Sequence, residues 1–205
     1  MLGSYNDDMH AHSISHCSND LIALFDGVFR DTYQTCLVRG TDEPLYLPAG
    51  SEHECHRIIF AHGFFASALH EVSHWCIAGA KRRTLEDYGY WYLPDGRDQT
   101  QQSSFESVEV APQALELLFT QASGRHFEVS IDNLNGEAVD RHRFRARVEA
   151  RAEQYLLEGL PRRAEAFRCT LQAYYRCRLT REAAIAKGRA RLAESKPGHI
   201  VTVED

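Results

Sequence analysis

Apolar residues recur along this chain with two different periods, and where the period changes marks where one element gives way to another. From about Asn19, Leu21, Ile22, Leu24, Phe25, Val28 and Phe29 fall on one side of a helix. Cys36-Leu37-Val38 and Leu45-Tyr46-Leu47 read as short strands around the turn-rich stretch Gly40-Thr41-Asp42-Glu43-Pro44. Arg57-Ile58-Ile59-Phe60 reads as another strand, and it runs through Ala61-His62-Gly63 into a segment with neither Pro nor Gly, Phe65 to Ala78. There Phe65, Leu69, Val72 and Cys76 follow the three-to-four spacing of a helix packed on a core. Gly79 is the expected C-cap, and Lys81, Arg82 and Arg83 follow the helix end, where its dipole favours positive charge.

The second half is more helical. Tyr88, Tyr90, Trp91 and Tyr92 predict a strand with one face in the core, closed by the turn Pro94-Asp95-Gly96. Pro112 stands near the start of a predicted helix over Gln113 to Phe119, which stops by Gly124. His126 to Ile131 alternates like a strand. A long helix is expected from about Glu137 to Leu157, broken by Gly159 and Pro161, and another over about Arg162 to Tyr175. Beyond Leu179 the chain is charged and lacks aromatics, which predicts a helix that frays. The expected fold class is α+β, a small sheet packed with several helices. The expected organisation is a flexible tail over residues 1–18, one domain over 19–178 and a helical or flexible tail over 179–205, with no internal repeat.

Composition narrows the function classes. In 205 residues the net charge is −6, which argues against a general nucleic-acid-binding surface. No stretch is long and apolar enough for a membrane span, and the polar start lacks the order of a signal peptide, so the expected compartment is the cytoplasm. The six cysteines form no C-x-x-C pair and are expected as free thiols there. His10, His12 and His16 lie in a segment without apolar periodicity and do not make a formed site.

The chemistry concentrates in His70-Glu71-Val72-Ser73-His74, an H-E-x-x-H string. Positions four apart lie on one face of a helix, so two imidazoles there can bind one metal ion from the same side. Glu71, on the adjacent surface, is placed to orient or deprotonate a metal-bound water, the catalytic role given to it here. Such a string arises by accident in roughly one chain in twenty of this make-up, so its context on a core-packed helix carries part of the argument.

A catalytic metal usually takes three protein ligands and keeps open positions. Glu106 and Glu109 stand among Phe105, Val108 and Val110, where a carboxylate is costly to bury unless it is paired. If that run is extended, Glu109 points away from the two valines; if helical, the two glutamates share a face. Glu109 is preferred as third ligand, with Glu106 as supporting partner or alternative. His62, at a strand-to-helix junction, and the rings of Tyr90 and Tyr92 are candidate pocket residues. Two His and a carboxylate serve either zinc with an activated water or non-haem Fe(II) with oxygen, and spacing does not choose between them.

The longer strings Asp42-Glu43-Pro44-Leu45-Tyr46-Leu47-Pro48-Ala49, Arg57 to Phe64, His70 to Gly79, Asp87 to Asp98 and Phe105 to Leu115 together resemble the bacterial elongation factor P hydroxylase family, over about residues 20–178. H-E-x-x-H alone is shared with many metallopeptidases; its combination with the Gly89-Tyr90-Trp91-Tyr92 and Pro94 to Asp98 strings is far more specific. The resemblance implies hydroxylation of the β-lysylated lysine of elongation factor P, with Fe(II) as metal, molecular oxygen as co-substrate and elongation factor P as partner. It implies a 2-His-1-carboxylate centre, carried by position onto His70, His74 and Glu109, and a fold like a metal-dependent endoribonuclease. No direct nucleic-acid or membrane partner is expected. The His-rich start and the stretch beyond Tyr175 look less like the family. The runner-up is a zinc hydrolase, peptidase or nuclease, with Glu71 as general base; a third reading is a structural metal closed by four protein ligands.

Overall fold

In the computed structural model, residues 16–89, 98–131 and 140–194 are described. The order is helix α1 (Ser18–Tyr33), strands β1 (Thr35–Arg39), β2 (Leu45–Leu47) and β3 (His56–Phe60), then helices α2 (Phe65–Ile77), α3 (Gln99–Ala122), α4 (Arg141–Glu158), α5 (Arg162–Leu171) and α6 (Arg181–Glu194). The class is α+β, with six α-helices and a three-stranded sheet among the described residues.

The sheet has the order β1-β3-β2. The central β3 pairs in parallel with β1, Thr35 opposite His56, and antiparallel with β2, Tyr46 opposite Ile58. Asp26 on α1 accepts a hydrogen bond from the Leu37 amide at 2.9 Å, which pins α1 to the first strand. Leu37, Ile58 and Phe60 turn into the core, against Leu24, Phe25, Val28 and Phe29 of α1 and Leu69 and Val72 of α2. The periods seen in the sequence reappear here, because each one buries a single face.

Trp75 of α2 is fully buried where α1, α2 and α5 meet. Its ring centroid lies 5.2 Å from that of Phe25, 4.9 Å from Phe29 and 5.4 Å from Tyr33, all edge-on. Phe167 of α5 closes the group against Phe25 and Phe119. Edge-to-face packing at these distances adds to the gain from removing the rings from water.

Several expectations are corrected. Gly79 is not the C-cap of α2: the helix ends at Ile77 with Ala78 extended, and Gly79 does not take a left-handed conformation. Side chains satisfy the buried carbonyls at that end instead. Arg163 of α5 donates to the carbonyls of Cys76 (3.1 Å) and Ala78 (2.6 Å), and Arg83 also donates to Ala78 (2.6 Å). Arg163 is buried, stacks 4.5 Å from the Trp75 ring, and is pushed down to about 10 by that burial.

Tyr88 is not in a strand. It lies in a tight turn, Glu86–Gly89, in which Asp87 (φ 44°), Tyr88 (φ 59°) and Gly89 (φ 73°) are all left-handed. Two non-glycine residues in that region store strain. It is held because Asp87 accepts from the Tyr46 amide at 2.8 Å and the Tyr88 ring stacks on Tyr46. Tyr90 and Tyr92, and the rest of the predicted strand beyond Gly89, lie outside the described residues.

Pro112 does not open a helix either. α3 starts with a capping box, in which Asp98 accepts from the Gln101 amide while the Gln101 side chain accepts from the Asp98 amide, and runs 24 residues with Pro112 inside. A proline there removes one helical hydrogen bond at a cost of about 3 kcal/mol, which burial of Ala114, Leu115, Leu118 and Phe119 outweighs.

The segment from His126 to Ile131 is not a strand. The Gln113 side chain holds its backbone, accepting from the Ser130 amide (3.0 Å) and donating to its carbonyl (2.7 Å). After Leu171 the chain continues as one π-helical turn, Gln172–Arg176, instead of an unbroken α-helix. α6 packs on α1 and α5, burying Ala184 and Leu192. Gly188 allows that approach, since a Cβ there would collide with the Thr170 hydroxyl.

Because Arg163 both covers Trp75 and completes the end of α2, Arg163→Ala is expected to lower unfolding free energy by about 3 kcal/mol, the worth of charge-assisted bonds to buried carbonyls. Urea unfolding followed by tryptophan fluorescence measures it; a midpoint equal to that of the unaltered protein would contradict the capping role.

Candidate metal centre

The buried face of α2 is made by Phe65, Ala68, Leu69, Val72, Trp75 and Cys76. That leaves His70 and His74 half-buried one turn apart on the flank that meets α3. Their Nε2 atoms lie 3.1 Å from each other, with ring centroids 4.8 Å apart. Opposite them α3 supplies Glu109, only 3% exposed. One of its oxygens lies 3.3 Å from His74 Nε2 and the other 3.6 Å from His70 Nε2. These three residues offer one ligand atom each, all within 4.8 Å of one another, and could hold one metal ion.

The geometry fits a cation. Donors on adjacent corners of an octahedron with bonds of about 2.1 Å lie about 3 Å apart, close to the three separations here. Two imidazole nitrogens and a carboxylate on one face also form a donor set used by non-haem iron. A carboxylate almost wholly removed from water, with two histidines and an amide beside it, is costly without positive charge.

α3 also supports these groups from behind. Glu116, two turns beyond Glu109 and 8% exposed, accepts a hydrogen bond from His70 Nδ1 at 2.8 Å. Gln113, one turn beyond Glu109, donates to its Oε2 at 3.4 Å while clamping Ser130. Without a metal these contacts set the charges. Burial alone would push His70 down, but the Glu116 hydrogen bond and the charges of Glu116, Glu109 and Glu71 outweigh it and hold it up at about 10. Burial would likewise raise Glu109, but His74, which also bonds to it, and His70 hold its carboxyl down at about 2. Glu71 is half-buried beside the cluster, and burial raises its carboxyl against the pull of His70 and His74.

The other candidates fall elsewhere. Glu106 is helical like Glu109, but three residues earlier it leans toward α4, where Arg147 donates to it at 3.0 Å. His62 is exposed in a turn with φ 52°, its ring 5.5 Å from that of Phe64, and it does not join the cluster. Tyr90 and Tyr92 lie outside the described residues. Glu116 and Gln113 are the residues that reading the sequence missed. The signal was there: Glu109, Gln113 and Glu116 share one face of a continuous helix. Starting that helix at Pro112 hid it.

Comparison with known proteins identifies the family. The family described as elongation factor P hydroxylase matches residues 24–185. The elongation factor P lysine hydroxylase of Haemophilus influenzae is 49% identical over 162 residues, covering 79% of this chain and 91% of that protein.

The buried charges make metal-free stability depend on pH in two directions. Glu109 is lowered from 4.5 to about 2, so its contribution is present above 4.5 and is lost as pH falls from there toward 2. His70 is raised from 6.5 to about 10, so its contribution is complete below 6.5 and is lost as pH rises toward 10. Chelator-treated protein should therefore lose stability on both sides of a window between 4.5 and 6.5. In urea titrations across pH, His70→Ala should flatten the alkaline decline; an unchanged decline would assign it to other groups.

Proposed function

We propose that this chain, which belongs to the elongation factor P hydroxylase family, hydroxylates a lysine of elongation factor P at a metal centre held by His70, His74 and Glu109. The observation that carries the site is the convergence of those three side chains from two helices. The observation that carries the reaction is a lysine hydroxylase 49% identical over most of both chains.

The finer reading is a non-haem Fe(II) enzyme that uses molecular oxygen and acts on the β-lysylated form of the target lysine. The donor set supports iron, and so does the chemistry, because an unactivated C–H bond is oxidised to an alcohol. Iron, when bound, supplies the activation of oxygen. One oxygen atom enters the C–H bond as a hydroxyl; the other leaves as water, with two electrons and two protons from a reductant.

The chain's own residues have separable tasks. His70 and His74 present Nε2 lone pairs, and Glu109 supplies the anionic donor that offsets part of the metal's charge. Gln113 restrains the Glu109 carboxylate. Glu71 holds or moves a proton at the edge of the site. A long cationic side chain suits a centre rich in carboxylates, and holding the target carbon in place is the main demand of the reaction. The compartment proposed is the cytoplasm, and the fold is read as akin to a metal-dependent endoribonuclease.

Intact-mass measurement tests the reaction. Incubation with Fe(II), a reductant and oxygen should add one oxygen atom to β-lysylated elongation factor P, and far less to the unmodified factor. His70→Ala should give no gain. An unchanged mass with iron-loaded wild-type protein would end the assignment.

The third ligand has its own test. Glu109→Ala should lose metal and turnover, while Glu106→Ala, whose carboxylate is tied to Arg147, should keep both. Metal content after desalting reads the first and product mass the second. The reverse order would move the ligand to Glu106.

A further inference from the structure

We propose that Glu116 is a positioning residue for the metal: it selects which nitrogen of His70 faces the site and makes that nitrogen a stronger donor. The inference rests on the reading of His70 as a ligand.

The argument starts from valence. A carboxylate can only accept a hydrogen bond, so the 2.8 Å contact puts the proton of His70 on Nδ1. In the neutral ring the lone pair then lies on Nε2, the nitrogen that meets His74 and Glu109. Rotation of the ring by half a turn would break the Glu116 bond and leave a carboxylate only 8% exposed without its imidazole partner. The ring is thus held in one orientation before any metal arrives, and the proton that a metal would displace is the one on Nε2, since Glu116 keeps the one on Nδ1.

Placement supports the same role. Glu109 and Glu116 lie seven residues apart on α3, so one straight face of a single helix delivers both a direct donor and the acceptor behind a second donor. His70 stands between them, with Nε2 toward Glu109 and Nδ1 toward Glu116. Any shift of α3 along α2 disturbs both contacts together. Among the described residues, Glu116 has no salt bridge with a lysine or arginine; its ion pair is with His70. An anionic acceptor on Nδ1–H also pushes electron density toward Nε2, which raises its basicity and favours the more oxidised state of a redox metal.

The test uses full-length protein stripped of metal. Co(II) titration followed by visible absorption gives the affinity, and the Fe(III)/Fe(II) potential of iron-loaded protein gives the electronic effect. Glu116→Ala removes both the acceptor and its charge and should weaken Co(II) binding by about 10- to 100-fold. Glu116→Gln keeps an acceptor oxygen but not the charge. It should recover part of the affinity and the wild-type Co(II) spectrum at saturation, while its iron potential shifts in the positive direction. Glu106→Ala is the control and should match wild type in affinity. Far-UV circular dichroism and thermal unfolding of the metal-free variants show that the fold persists. Wild-type affinity and potential in Glu116→Ala would overturn the proposal. So would wild-type affinity and potential in Glu116→Gln, since an isosteric neutral amide restores everything that a residue which only fills space contributes. Failure of the wild-type protein to take up Co(II) would instead overturn the site reading, and this inference with it.

Discussion

The contact of α2 with α3 is the constraint on which the rest of this structure depends. His70 and His74 come from one helix and Glu109, Gln113 and Glu116 from the other, so the site exists only at one register between them. A slip of one residue along α3 rotates its face by about 100°, which would take Glu109 out of reach and put Val108 or Val110 in its place. Burial of Glu109 and Glu116 is costly unless the imidazoles face them, and the imidazoles need the carboxylates as partners. The polar groups therefore penalise every register but one, while the apolar faces drive the helices together.

The remainder of the fold holds α2 still. The sheet and α1 press on its apolar side through Leu37, Phe60, Phe25 and Phe29. Trp75 locks it against α1 and α5, and Arg163 and Arg83 satisfy its last carbonyls. The flank that carries His70 and His74 is thus part of a helix anchored by a close-packed aromatic cluster on the opposite side. Preorganisation of this kind suits a reaction that tolerates little displacement of its donors.

Charge runs through the site as a separate theme. Glu71, Glu109 and Glu116 surround two imidazoles, so the pocket carries more acid than base before a metal enters. A divalent cation at the proposed site would answer that imbalance. The basic side chains seen nearby are committed elsewhere, Arg147 to Glu106 and Arg163 to the end of α2.

Local patterns in the sequence were enough to set α1, the three strands and α2, because each of these buries one face with a clean period. They were enough to single out His70 and His74, whose spacing is a property of one helix alone, and to prefer Glu109, since a carboxylate amid apolar residues signals an unusual partner. The left-handed turn at Tyr88, the continuous α3 through Pro112 and the side-chain cap at the end of α2 could not be read this way. Each is locally unfavourable and is maintained by a distant group: Tyr46 for the turn, the packed face of α3 for the proline, Arg163 for the carbonyls. Glu106 and Glu109 differ only in which neighbour their helix turns them toward, and Glu116 acquires meaning only when His70 lies against it. Those are relations between elements, and only the tertiary packing of α3 between α2 and α4 decides them, because a helix's own period says which residues share a face but not what that face will meet.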